Sequence, residues 1–399
     1  MQCPIVSLQS KLLTTHHMTK LLFTLLFSCG LAYSQDYKKV HEQLLLIDIH
    51  NDVIYESILP GKDIGQRLKV GHTDLPHLRE GGVDVQVFAV WSDDKKYGKG
   101  KAFKHANAQI DALEGVLKSY PEQIALAKNS HQIDSIRQTG KIVALIGVEG
   151  GNMIENSIQN LEALYRRGAR YLTLTWNYDL DWATAAATES TGKSFRKGLS
   201  PEGKTIIKRM NELGMLIDLS HVGEQTFKDV LATTSKPVLV SHSNAYTLMP
   251  HYRNLKDDQL MALKKNGGVV GVNFYSGFLD RGFNARVRKL YKQEFGEVEG
   301  AQLSAGKQYD KLPPKLKYKA DAPLAVLMDH IDYLVKHVGI DHVAVGSDFD
   351  GIESSPQGLG DVSKFPNLTK ALLNRGYAVE DIAKIMGLNF LRLLKENEN

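Results

Sequence analysis

Residues Leu44 to Asp52 read LLLIDIHND. An apolar run with β-branched content stops abruptly at His50 and Asp52. Extended backbone alternates its side chains, so two residues spaced two apart just past a buried strand project the same way. Imidazole and carboxylate are a suitable ligand pair for zinc or a similar divalent ion. A single His-x-Asp pair carries little weight. The same grammar, an apolar run followed at once by a ligand-type residue, recurs down the chain, and the recurrence decides the fold.

Working outward, the second apolar run is Val83 to Trp91, and the third, Ile142 to Val148, ends at Glu149-Gly150-Gly151. Tyr171 to Thr175 is the fourth. Met215 to Leu219 delivers Ser220-His221, and Val238 to Val240 delivers Ser241-His242. Gly268 to Asn273 leads into Phe274-Tyr275, and His342 to Val345 leads into Ser347-Asp348-Phe349-Asp350. Helical spacing fills most of the gaps. Residues 100–140 read mostly as helix, with Ile110, Leu113, Val116 and Leu117 on one face. Helix 156–167 carries Ile158, Leu161, Leu164 and Tyr165, and Gly168 suits its end. Ser200-Pro201 opens a helix with an N-cap and a first-turn proline, and Gly214 closes it. Residues 36–40 read as polar chain leading into the first strand. Strands alternating with helices imply parallel β/α units, and eight units imply an α/β fold of the closed (β/α)8 barrel type. Such barrels grow from ~250 residues past 400 with insertions. Residues 35–399 therefore read as one catalytic domain. Its largest insertion, around 276–322, is either a lid or rim over the site or a solvated excursion.

The composition, 43% hydrophobic and 24% charged over 399 residues, supports a large core. The net charge of +4 is small for this size, and no basic stripe or nucleic-acid motif accompanies it, so no polynucleotide partner is expected. Lys20, the apolar run Leu21 to Phe27 and the small residues Ala32 and Ser34 read as a signal peptide cleaved after Ser34. Residues 1–17 precede a second methionine, Met18, and an over-extended start accounts for them. The expected location is periplasmic or extracellular. Two alternatives stand beside it: a lipid-attachment cysteine at Cys29, and a cytosolic protein with an apolar tail. The two cysteines are Cys3 and Cys29, so the processed chain would hold no disulfide. No later apolar run approaches the ~20 residues of a membrane span.

Barrel active sites form where strands end. His50, Asp52, Glu149, His221, His242 and Asp348 all fall at such ends, whereas His105, His131, His330 and His337 fall in helices or loops and read as structural. Three histidines with three carboxylates exceed what one tetrahedral zinc uses. They suit two ions sharing a carboxylate, which together would lower the pKa of a bridging water to about 7. Glu149 is the natural bridge, because Glu-Gly-Gly brings a carboxylate close without crowding. Asp348 is placed to take and return the proton.

These residues resemble the membrane (renal) dipeptidase family. The resemblance runs from about Leu46 to Leu394 through HND at 50–52, TDLPHLREGGVDVQ at 73–86, IGVEGG at 146–151, YLTLT at 171–175, GLSPEGK at 198–204, LIDLSHV at 216–222, SHSNAY at 241–246, RN at 253–254, NFY at 273–275, SDFDG at 347–351 and GLNFLRLL at 387–394. It implies a zinc-dependent barrel that hydrolyses dipeptides and related amides. By resemblance His50, Asp52 and Glu149 hold one zinc, and Glu149, His221 and His242 the other. Asp348 is then the acid/base, and Arg253 fixes the substrate carboxylate with its guanidinium fork. Asn273 and Tyr275 are expected pocket neighbours, and a homodimer is what the family suggests. One departure stands out. Mammalian members carry after YLTLT a histidine that contacts the tetrahedral intermediate, where this chain has Trp176 and then Asn177. Either the indole N–H or Asn177 replaces that contact, or the substrate range differs. The mammalian disulfide cysteines and anchor signal are missing, in keeping with a bacterial exported form. Two other functions fit the same residues: an amidohydrolase of N-acyl amino acids or lactones, and a non-catalytic binding protein.

Overall fold

The computed structural model describes residues 36–98, 100–194, 197–296 and 303–399. The signal-peptide reading and Cys29 lie outside them. Nine parallel strands form one sheet: β1 (Ile47–Asp48), β2 (Val85–Trp91), β3 (Ile124–Leu126), β4 (Ile142–Glu149), β5 (Ala169–Thr173), β6 (Leu216–Asp218), β7 (Leu239–Ser243), β8 (Val269–Val272) and β9 (Val343–Val345). Eight of them close a barrel in the order β1-β2-β4-β5-β6-β7-β8-β9. Asp48 pairs with Val345 and with Gln86, which joins the two ends.

The eight expected strands are these eight, with ends shifted by a few residues. Two elements differ from the expectation. Tyr37–Gln43 is a helix rather than a polar lead-in, and the Asp36 carboxylate caps it by accepting from the Lys38 N–H. The stretch read as mostly helix contains β3, between helices Ala102–Ser119 and Ser130–Arg137. Three residues are too few to show a period. β3 pairs with Ile142–Ala144 of β4, below the point where β5 begins to pair at Ile146.

Alternation along the strands divides the core in two. Ile47, Val85, Val87, Val143, Leu145, Tyr171, Leu216 and Leu239 pack inside the barrel. Phe390, Leu393 and Leu394 of the C-terminal helix (Asn389–Asn397) close its lower end. Phe88, Val90, Ala144, Ile146, Leu172 and Ile217 face outward onto the helices. The helix starting at Ser200-Pro201 forms as expected: Ser200 accepts from the Gly203 N–H, and Gly214 ends it at φ +74°.

The stretch expected as the largest insertion contributes helices Phe283–Phe295, Ala305–Lys311 and Pro314–Ala320, with a small core of their own around Phe283, Val287, Tyr291 and Tyr309. This unit packs on Tyr275, whose ring meets Phe283 edge-on. Among the described residues no helix is long and apolar enough to cross a membrane.

Candidate metal centre and substrate cavity

At the C-terminal mouth of the barrel, inward-facing positions change from apolar to polar within one layer. On β4, Leu145 is followed inward by Gly147 and then Glu149. A Cβ on Gly147 would lie 2.0 Å from the Tyr171 ring. Glycine therefore lets Tyr171 cross beneath Glu149 and reach His50.

The six strand-end residues meet here. His221 Nε2 and His242 Nε2 lie 2.8 and 3.4 Å from Glu149 Oε1. His50 Nε2 lies 3.4 Å from Glu149 Oε2 and 3.4 Å from Asp52 Oδ2. Asp348 Oδ1 is 3.9 Å from His50 Nε2. The two oxygens of Glu149 thus face two separate ligand groups. His221 Nε2 and His242 Nε2 lie 3.0 Å apart, close to the roughly 3.3 Å that separates two nitrogen ligands bonded to one tetrahedral zinc at ~2.0–2.1 Å.

Hydrogen bonds fix each imidazole in one orientation. His50 Nδ1 donates to the Tyr171 hydroxyl (2.7 Å), which donates in turn to the Ile49 carbonyl. His242 Nδ1 donates to Ser241 Oγ (2.8 Å), whose own proton goes to Asp218 Oδ2 (2.6 Å). His221 Nδ1 donates to Asn177 Oδ1 (3.3 Å). All three Nε2 lone pairs are left facing Glu149, and His50 Nε2 is buried with no hydrogen-bond partner. Metal-binding histidines carry this kind of outer support. The donor set therefore fits divalent cations. Three trios can share an ion: His50, Asp52 and Glu149; Glu149, His221 and His242; and His50, His242 and Asp348.

Burial raises the pKa of every carboxyl here, and the neighbours decide the outcome. At Glu149 the surrounding imidazoles, His50 first and then His221 and His242, more than offset burial, and the group stays well below the usual range. Asp52 is pushed up to about 6 by burial, against His50. At Asp348 burial is reinforced by Asp52 and Glu149, and its pKa rises well above the ordinary value despite His50. Asn273 Nδ2 donates to Asp348 Oδ2 (2.7 Å) and orients it. His221 and Asp348 both take left-handed backbone, at φ +67° and +62°. Non-glycine residues pay for that conformation in strain, and functional sites collect it.

A cavity of about 330 Å³ opens over this cluster. Of the expected substrate residues, Arg253, Trp176, Asn177 and Tyr275 line it, whereas Asn273 does not and instead lies behind Asp348. Arg253 is buried, donates through Nη2 to the His242 carbonyl (3.0 Å) and lies over the Phe278 ring. It has no ion-pair partner among the described residues, and its Nε has no hydrogen-bond acceptor. Trp176 packs edge-on against Trp91, with ring centroids 4.9 Å apart. Asn177 supports His221, so its carbonyl oxygen is already engaged. Of the histidines read as structural, His330 is buried and bonded to the Ala245 N–H and the Leu279 carbonyl.

The sequence reading assigned no role to Tyr171, Asp218, Tyr55, Trp91, Phe278, Glu56, Asp350 or Glu353. For Tyr171 a signal was present: it shares the inward parity of β5 with Thr173. The others depend on contacts between distant segments.

A parallel barrel carrying histidines and carboxylates around its C-terminal mouth defines a metal-dependent hydrolase. Residues 34–399 match the family model described as Membrane dipeptidase (Peptidase family M19). The chain belongs to this family, and it is a metallopeptidase of the dipeptidase class. It is 35% identical over 384 residues to an uncharacterized dipeptidase of Schizosaccharomyces pombe, covering 91% of this chain and 83% of the relative. It is 33% identical over 347 residues to the dipeptidase tcpJ of Claviceps purpurea, covering 85% and 71%. The crystal structure of the probable dipeptidase PvdM from Pseudomonas aeruginosa superposes with a TM-score of 0.76 at 25% identity, covering 92% of this chain and 98% of that one.

Proposed function

We propose that this chain hydrolyses dipeptides with two zinc ions, His50, Asp52 and Glu149 holding one, Glu149, His221 and His242 the other, and Glu149 bridging. The observation that carries this reading is the turning of all three Nε2 atoms onto one carboxylate whose two oxygens face different ligand groups. When bound, the ions supply Lewis acidity toward the scissile carbonyl and lower the pKa of water. The residues of the chain supply the rest. Asp348, held by Asn273 and raised in pKa, accepts a proton from the attacking water and returns it to the departing amine. Arg253, buried without a carboxylate partner, takes the free carboxylate of the substrate in a bidentate pair. Trp176, Asn177 and Tyr275 wall the cavity and exclude water around the reacting bond. The helical unit within 276–322 forms part of the rim through Tyr275.

The test is metal analysis of the purified chain, followed by turnover of a dipeptide panel beside N-acyl amino acids and lactones. Two zinc per chain and hydrolysis confined to dipeptides is the expected result. Turnover of the acylated compounds alone, or of nothing once zinc is supplied, overturns it. We further infer export by a bacterial host through cleavage after Ser34, on the strength of Lys20 and the run Leu21 to Phe27. Sequencing the mature N-terminus separates this from lipid attachment at Cys29 and from a retained leader.

A further inference from the structure

Six carboxylates line the substrate cavity, and the metals and proton transfer use three: Asp52, Glu149 and Asp348. The remaining three, Glu56, Asp350 and Glu353, lie together on the rim. They also line an adjoining recess of about 480 Å³, into which Asp310 faces. The two spaces share Glu56, Glu353 and the segment 350–352, so the substrate site continues into an acidic alcove.

The Asp350 side chain is 2% exposed. Its Oδ1 accepts from the His72 N–H (2.8 Å), while its Oδ2 is buried and has no hydrogen-bond partner among the described residues. A buried carboxylate oxygen left unpaired by the protein beside a cavity is costly unless a ligand or a water from the cavity completes it. The bases nearby do not. His72 Nδ1 accepts the Asp350 N–H (2.9 Å), so that nitrogen carries no proton. Lys62 gives its ammonium to the Glu56 carbonyl and to Ser57 Oγ. Glu56 and Glu353 form no ion pair among the described residues. Tyr275 and Glu353 both line the substrate cavity, and Glu353 lines the recess as well. A metal ion is a poor occupant, because among the described residues the trios able to share one ion are confined to the barrel mouth. A flexible organic cation, whose charge reaches past the reacting bond, matches the spread of these groups.

We propose that Glu56, Asp350 and Glu353 form a specificity subsite for a cationic side chain, so that the preferred substrates are dipeptides containing lysine or arginine. This rests on the dipeptidase reading and narrows it to a substrate class. With Arg253 taking the substrate carboxylate, one cavity then offers both a cationic and an anionic contact.

The test compares kcat/KM for dipeptide pairs that differ only in side-chain charge, lysine against norleucine and arginine against citrulline, at each position, with zinc-loaded enzyme. The wild type should favour the cation roughly ten- to hundredfold at one position, the size of hydrogen bonds to charged groups. The Glu56→Gln/Glu353→Gln double variant should bring the ratio close to one. Glu353→Lys should turn the preference toward glutamate-bearing dipeptides, which a merely structural role for Glu353 would not produce. A wild-type ratio near one, or a ratio unchanged in the double variant, overturns the subsite while leaving the dipeptidase reading in place. Absence of hydrolysis for charged and neutral dipeptides alike overturns both.

Discussion

Glu149 and Asp348 are both buried carboxyls in one cluster, and their surroundings drive them apart. Glu149 stands among three imidazoles and stays ionised, as the proposed bridging role requires. Asp348 faces two other carboxylates and binds a proton more readily, as a general acid/base must. Asp348→Asn keeps the shape and the Asn273 contact but cannot carry the proton. It should bind zinc normally and lose roughly 10²–10⁴-fold in kcat, measured by metal analysis beside steady-state kinetics; wild-type turnover would exclude the assigned role. Arg253→Ala removes a buried guanidinium that has no internal carboxylate partner. It should lower kcat/KM by about a hundredfold for free dipeptides and far less for the same dipeptides amidated at the C-terminus. Equal losses on both would remove the carboxylate clamp from the mechanism.

Among elements, precision at the mouth depends on how neighbouring strands share space. β4 gives up a side chain at Gly147 so that Tyr171 of β5 can orient His50 beyond β1. Gly147→Ala should cost about 1–3 kcal/mol by overpacking. It should also weaken zinc binding, because the Tyr171 hydroxyl must leave His50 Nδ1; denaturation and metal titration read the two effects separately. His330 links helix Leu324–Val338 to the segments after β7 and β8, accepting from Ala245 N–H and donating to Leu279. Burial pushes its pKa down from 6.5 to about 4. Below pH ~6.5 the unfolded chain takes up a proton that the folded chain refuses, so stability rises with pH between about 4 and 6.5. The contribution, present in full above that window, falls by on the order of 3 kcal/mol by its lower end. Urea titrations at pH 7 and 5 should show this loss in the wild type and a shallower one in His330→Gln.

At the scale of the molecule, the metals bear on stability as well as on chemistry. The mouth buries Asp52, Glu149 and Asp348 within one cluster, and bound cations would offset their mutual repulsion. Chelation should therefore abolish turnover and lower Tm by roughly 5–10 °C, with both restored on adding zinc. An unchanged Tm in chelator would mean that the cluster is stable without ions.

The barrel was legible in the sequence because burial on both sides makes parallel strands read as apolar runs, and five of the eight expected runs end at a ligand-type residue. His50, Asp52, Glu149, His221, His242 and Asp348 were visible for that reason. β3 was not, since three residues carry no period, and neither was the helix at Tyr37–Gln43, which is polar on most of its surface. What the one-dimensional pattern determined was which chemical groups stand at the strand ends, because alternation and chain order are local properties. What only the tertiary structure decided was their orientation and company: Tyr171 on His50, Ser241 and Asp218 behind His242, Asn177 behind His221, and the acidic alcove of Glu56, Asp350 and Glu353. Apart from Ser241 on its neighbour His242, those contacts join segments tens to hundreds of residues apart, and no local spacing encodes which side chains closure of the barrel brings together.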